Sequence, residues 1–380
     1  MKTFFSRFSV LLALPVLLLA ACSGESGVGP AGDNFDRRAM LVHWADGIII
    51  PSFASFESDA AALDQAATGF AESPSQSTLD ELRTAWEEAY LGFQWVSMFE
   101  VGPAMTHMLR DYVNLYPTKP DEIHQSVESG EWNLELPSLM DAQGFPALDY
   151  LLYGLEESDA ELLARYQSGP DAEIWRAYLS DVSARIHLLA GTVHTEWETE
   201  YRDQYVENDD DGETASVDRT VNGYIFDYEK HLRAGKVGIP AGVLPGAGFN
   251  TGTLLPGHVE APYRGDLSRE LLLEALTAAE RFFRGQAFQG STSGPSLEAY
   301  LDYLNELRGE PLLATQILDQ FEVARQAILE LDENLKLQVD QENSLMLQAY
   351  DALQRNVVYL KTDMLQALGI NVSYTDTDGD

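Results

Sequence analysis

The sequence predicts an all-α protein. Three observations lead there: apolar residues recur at alternating spacings of three and four along several long stretches, no run alternates convincingly with period two, and the stretches break at glycine, proline and short polar turns. Long helices joined by short turns argue for bundles. The organisation that follows is two four-helix-bundle-like domains, with a Gly/Pro-rich loop between helices of the second.

Taken in order, a first helix is predicted over 35–70, kinked near Pro51 because proline cannot donate to the preceding turn. The series Leu79, Leu82, Trp86, Ala89, Phe93 and Val96 gives the next helix, with Ser77 and Asp80 as a capping pair and Gly102-Pro103 as its close. A short helix is predicted over 146–155, and a long one carries Ile174, Tyr178, Val182, Ile186, Leu189, Val193, Trp197 and Tyr201 after Gly169-Pro170-Asp171. Further helices are expected over 216–232, 267–283 and 297–307, then one carrying Ile317, Phe321, Ala324, Ile328, Leu331 and Leu335. The cleanest series, Met346, Tyr350, Leu353, Val357, Leu360, Met364 and Ala367, stops at Gly369. Stripes such as Trp86, Phe93, Trp197 and Tyr201 are read as core in preference to a ligand platform.

The first residues have a different purpose. Lys2 and Arg7, an apolar run over 10–19 interrupted by Pro15, and a close on Leu19-Ala20-Ala21-Cys22 make a secretory signal whose end has the shape of a bacterial lipobox. The run is shorter than the roughly 20 residues that span a bilayer. Cys22 is the one cysteine, so no disulfide forms within the chain and a packed core must supply stability. The Gly- and Ser-rich residues 22–34 read as a flexible tether. The expected division is signal 1–21, tether 22–34, bundle domains 35–210 and 211–380, with the acidic loop Glu207-Asn208-Asp209-Asp210-Asp211-Gly212-Glu213 at their boundary. Two or more acyl chains on Cys22 would hold the protein on its membrane. Ser23, rather than Asp, after the cysteine is a sorting tendency toward the outer membrane, so the expected location is that membrane, facing the periplasm of a Gram-negative bacterium or the cell surface.

The chain carries 24 basic and 61 acidic residues, a net charge of −37 that becomes −39 once Lys2 and Arg7 leave with the signal. So negative a body repels phosphate backbones, which excludes nucleic acid as a partner. About 345 residues remain after the tether, 45% of the whole chain is hydrophobic, and the two domains have ample core material.

One connection is unlike the others. Residues 235–267 hold eight glycines and four prolines together with Lys236, His258, Glu260, Tyr263 and Arg264, and connections of this length in compact domains are usually functional or disordered. A functional role is favoured.

The segment Gly144-Phe145-Pro146-Ala147-Leu148-Asp149-Tyr150-Leu151-Leu152-Tyr153-Gly154 resembles the signature of imelysin-like proteins, also called M75 peptidases, where Gly-x-His-x-x-Glu is followed by Tyr-Leu-Leu-aromatic-Gly. Other stretches agree in order: Phe99-Glu100-Val101-Gly102-Pro103, Lys236-Val237-Gly238-Ile239-Pro240-Ala241-Gly242, Val259-Glu260-Ala261-Pro262-Tyr263 and Phe282-Phe283-Arg284-Gly285. The resemblance implies two helical-bundle domains, a cleft near the signature between them and an association with iron uptake. It also implies a cleft lined by Glu100, Gly144, Pro146, Asp149, Tyr150, His258, Glu260 and Tyr263. In family members His and Glu at i and i+3 can reach one metal ion. Here Pro146 stands in place of the histidine and Asp149 in place of the glutamate, so no catalytic and no metal-ligating residue is assigned, and any cofactor is unknown. Proline at the start of a helix and an acid in its first turn are also an ordinary way to begin one, which leaves two roles open for Asp149, helix start or ligand binding.

The remaining motifs are weaker. No histidines are spaced as in His-Glu-x-x-His, and His187 and His194 lie two turns apart, roughly 10 Å, too far for a shared ion. Asp376-Thr377-Asp378-Gly379-Asp380 opens like a calcium loop but ends before the bidentate acid that such a loop needs. The expected function is a membrane-tethered binding or accessory lipoprotein in uptake of iron or another nutrient, without peptidase activity. Its expected partners are the membrane, an outer-membrane uptake receptor, or a cation or haem ligand. The alternatives are a divergent M75-type metallopeptidase and a structural scaffold lipoprotein.

Overall fold

The computed structural model describes residues 33–246, 248–308 and 312–374. Cys22, the signal, most of the tether and the acidic tail 376–380 lie outside the described residues. Those described form an all-α fold. Their only β features are two isolated bridges, Gly246 with Phe249 and Gln286 with Ser293.

The helices pack in two sets. In the first, Ile50–Glu72 lies between Gln76–Phe93 and Ala172–Glu196. In the second, Asn343–Val358 lies between Leu313–Leu329 and Asp227–Gly238, and Ser268–Phe283 packs on Leu313–Leu329. Ser268–Phe283 also touches Gln76–Phe93, and a single apolar core runs through both sets. The continuous helix Arg37–Glu72 is long and apolar enough to cross a membrane, yet Phe53, Phe56, Leu63 and Phe70 on it are fully buried by protein. It is a core helix.

Several helices widen into π-type turns, at Trp44–Ile49, Tyr150–Gly154, Trp197–Tyr201, Asp227–Gly238 and Tyr359–Met364. The first ends at Ile49, two residues before Pro51, which has no N–H to give to the turn before it, so the helix widens there.

Local details correct the sequence reading. Ser75, not Ser77, caps Gln76–Phe93: its hydroxyl accepts the Thr78 N–H while the Thr78 hydroxyl accepts the Ser75 N–H. That helix ends at Phe93, well before Gly102, which takes φ +55° and starts Pro103–Thr106 instead. Leu331 and Leu335 fall beyond the end of Leu313–Leu329, and Leu335 opens a separate helix capped by Asn334. The glycine-rich connection also starts later than expected. The chain stays helical through Gly238, so Lys236 sits on a helix and not in the loop.

Candidate functional site

The signature segment begins as the helix Gly144–Asp149 and continues in the wide turn Tyr150–Gly154. Gly144 has φ +76°, and a Cβ there would overlap the Val113 carbonyl, so only glycine allows this close approach. Phe145 stacks on Tyr90 with ring centroids 4.6 Å apart, and its carbonyl accepts the Trp86 indole N–H at 3.2 Å. Pro146 lies within the first helical turn, where a missing N–H costs nothing, and is buried.

Asp149 is completely buried. Its two carboxylate oxygens accept the backbone N–H groups of Tyr263 at 2.9 Å and Arg264 at 2.8 Å. Burial pushes its pKa up to about 7, against the opposing pull of those two amides and of Lys336 and Arg264. Neither sequence-level role for Asp149 describes this: it neither caps its own helix nor faces an open cleft, but holds the loop that arrives 114 residues later. The aromatic rings close the space around it. Tyr150 packs against Tyr263 at 5.3 Å and bonds His124 Nε2 at 2.7 Å, while the Tyr263 ring fills the space a Cβ on Gly154 would need. Arg264 extends the clamp by donating to Glu87 at 2.6 Å.

A second buried carboxylate anchors the same loop. Glu260 pairs with the ammonium of Lys236 and accepts from Asn114 at 2.7 Å and Gln94 at 3.4 Å. Lys236 also donates to Gln94 at 2.9 Å, and Tyr90 donates to Asn114 at 2.6 Å. Burial lowers the Lys236 pKa while Glu260 raises it. The group nevertheless keeps a carboxylate beside it, so both charges are compensated. Between the two anchors Ala261 takes φ +53°, a left-handed conformation that strains a side chain.

The sequence-assigned residues therefore fall in four places. Asp149, Tyr150 and Tyr263 meet one another, with Gly144 and Pro146 buried in the helix that positions them. Glu260 sits at the other end of its loop segment. Glu100 is elsewhere, its carboxylate accepting the Arg110 N–H at 3.4 Å, with its pKa raised by burial. His258 lines a cavity of about 270 Å³ between residues 110–117 and the helix Asp227–Gly238, whose walls also include Arg110, Tyr116 and His231. Asn114, Gln94, Tyr116 and His231 were missed by sequence reasoning, because a lone polar residue gives no periodic signal.

The signature segment does not suit a metal ion. Pro146 has no ligating atom, both oxygens of Asp149 are occupied by backbone amides, and among the described residues no three His, Cys, Asp or Glu side chains form a metal-holding group. Three other histidines face carboxylates: His107 with Glu196 at 2.8 Å, His187 with Asp64 at 2.9 Å, and His194 with Glu57 and, at 3.5 Å, Glu198. The acidic loop is likewise engaged, through Arg37 with Asp211 and Arg38 with Asp209.

Comparison with known proteins agrees with this architecture. An imelysin-like protein from Psychrobacter arcticum superposes with a TM-score of 0.66 at 17% identity, covering 89% of this chain and 97% of that one. A protein from Parabacteroides distasonis, provisionally designated an iron-regulated protein A precursor, superposes with a TM-score of 0.68 at 17% identity, covering 87% of this chain and 95% of that one. At that identity the likeness shows the fold alone. No curated protein matches the sequence. The family model of imelysin, peptidase family M75, matches residues 49–358, and the chain belongs to the imelysin family.

Proposed function

We propose that the mature protein is a membrane-tethered, periplasm-facing binding or accessory lipoprotein, without peptidase activity, that works in uptake of iron or another nutrient. The observation that carries this is the state of the signature segment: position 146 has no imidazole, and the Asp149 carboxylate is spent on holding Tyr263 and Arg264. Each of its oxygens already accepts one amide, and among the described residues no group of His, Cys, Asp or Glu side chains stands beside it to share a metal ion. The lipobox at Leu19-Ala20-Ala21-Cys22 supports the tether, and the designation of the Parabacteroides distasonis structure as iron-regulated supports a nutrient role.

A scaffold reading is favoured by one observation, the filling of the space beside Asp149 by the loop and the Tyr150 and Tyr263 rings. The open cavity beside His231 and His258 favours binding instead.

Three measurements test the proposal. Labelled palmitate fed to the expressing cell is expected to enter the wild-type chain and not Cys22→Ser. Peptide cleavage with and without chelator is expected to show none. A chelator-sensitive activity that disappears in Asp149→Asn would restore the peptidase. If the purified protein holds no metal or haem and captures no partner from its membrane, the scaffold reading replaces binding.

A further inference from the structure

Three cations converge on one buried carboxylate beside the last described residue. Glu229, wholly buried on the helix Asp227–Gly238, meets the Lys230 ammonium at 2.8 Å, the Lys361 ammonium at 3.1 Å and the Arg233 guanidinium at 3.9 Å. The Tyr374 hydroxyl donates to the same carboxylate at 2.8 Å. The cations are themselves largely covered: Arg233 is buried, and the side chains of Lys361 and Lys230 are 10% and 18% exposed. Like charges held this close repel, and a covered site keeps them charged only where anions stand near. That three positive charges gather round one carboxylate, in a chain of net charge −37, therefore points to an anionic segment at this place.

The course of the chain says which segment. Residues 371–374 are fixed against the helices that carry this cluster. The Asn222 side chain donates to the Asn371 carbonyl at 3.1 Å and accepts the Ser373 N–H at 2.9 Å. The Tyr374 ring stands edge-on to Phe226 at 5.1 Å, with the Lys361 ammonium 5.7 Å from its centre. Next in the sequence come Thr375-Asp376-Thr377-Asp378-Gly379-Asp380, three carboxylates in six residues and no cation. An extended chain advances at most about 3.3–3.6 Å per residue, so Asp376 and Asp378 stay within about 7 and 14 Å of Tyr374. Both are in reach of a cluster that already touches that tyrosine.

We propose that residues 375–380 dock on Lys230, Arg233 and Lys361, with Asp376 and Asp378 pairing with these cations, so that the acidic tail fastens the end of the chain to Asp227–Gly238. This goes beyond the binding reading above and stands independently of it.

Amide hydrogen exchange of the full chain, run with a calcium chelator and read by mass spectrometry over residues 375–380, tests it. The tail is expected to exchange more slowly than a free peptide of the same sequence. Lys361→Gln is expected to reduce that protection about fivefold, the factor that corresponds to about 1 kcal/mol for one ion pair. The double variant Asp376→Asn with Asp378→Asn changes the tail and no core residue, so it should fold, and it is expected to lose at least as much protection. Carbodiimide coupling, which joins an ammonium directly to a touching carboxylate, is expected to link Lys230 or Lys361 to Asp376 or Asp378. Exchange at the free-peptide rate, protection unchanged in both variants, or coupling to Glu229 with none to the tail would each overturn the docking. Protection that arises only when calcium is added would make the tail a cation loop and overturn it as well.

Discussion

The loop that follows Gly238 meets the rest of the protein in two opposite ways. At Tyr263 and Arg264 the backbone amides and the guanidinium are engaged: Asp149 accepts both backbone amides, Arg264 reaches Glu87, and rings close the gap. At His258, by contrast, Tyr116, His231 and His258 from three separate segments line a cavity and have no hydrogen-bond partner among the described residues. The first arrangement is how a fold holds a long loop in place, since a buried carboxylate is stable only when its oxygens are occupied. The second leaves bonding capacity for a ligand. The family's signature segment thus acts as a fastening in this chain, and the open cavity stands at the other contact.

Removing a partner from the fastening should have the largest effect. Lys236→Met leaves Glu260 as a buried carboxylate without a counter-charge and is expected to cost about 3–5 kcal/mol in denaturant unfolding. Asp149→Asn replaces one acceptor with a donor facing an amide. It should cost about 1–3 kcal/mol and speed hydrogen exchange at Tyr263 and Arg264. Unchanged exchange at those two amides would break the contrast between the two contacts.

The same variant carries a pH signature. Because burial in the folded state raises Asp149 from its ordinary value of 3.8 to about 7, folding favours the protonated form; that contribution is complete below about pH 4, declines as pH rises, and is gone above about 7. Wild-type stability should therefore fall more steeply than that of Asp149→Asn between those limits, and parallel curves would show that Asp149 does not titrate there.

Ala261→Gly sharpens the comparison on the backbone. Relief of a left-handed alanine is worth about 1–2 kcal/mol, offset by about 0.5–1 kcal/mol of added freedom in the unfolded chain, so a net gain between about 0 and 1.5 kcal/mol is expected in thermal unfolding. Smallest of all, Tyr116→Phe should stay within about 0.5 kcal/mol of wild type, because its hydroxyl supports nothing in the fold. A large loss there would move Tyr116 to the fastening side.

Much of this was legible beforehand, and the residues show why. Leu79, Leu82, Trp86 and Phe93 are buried at the spacing that a helix imposes, and Gly369 ends its helix in the left-handed conformation expected of a glycine stop. Asp149, Tyr263 and Glu260 could be singled out, yet their actual partners could not. Asp149 bonds amides, and a backbone N–H has no signature in a sequence. Lys236 and Glu260 are 24 residues apart and meet only because the helix runs on to Gly238 while the loop folds back.

The sequence by itself determined the helical class, the net charge of −37 and the absence of an imidazole at position 146, because each is a property of residue type or local spacing. Only the tertiary structure decided what Asp149 does and where unbonded donors face one cavity. Burial and hydrogen-bond satisfaction are properties of a folded surrounding, assembled from segments more than a hundred residues apart.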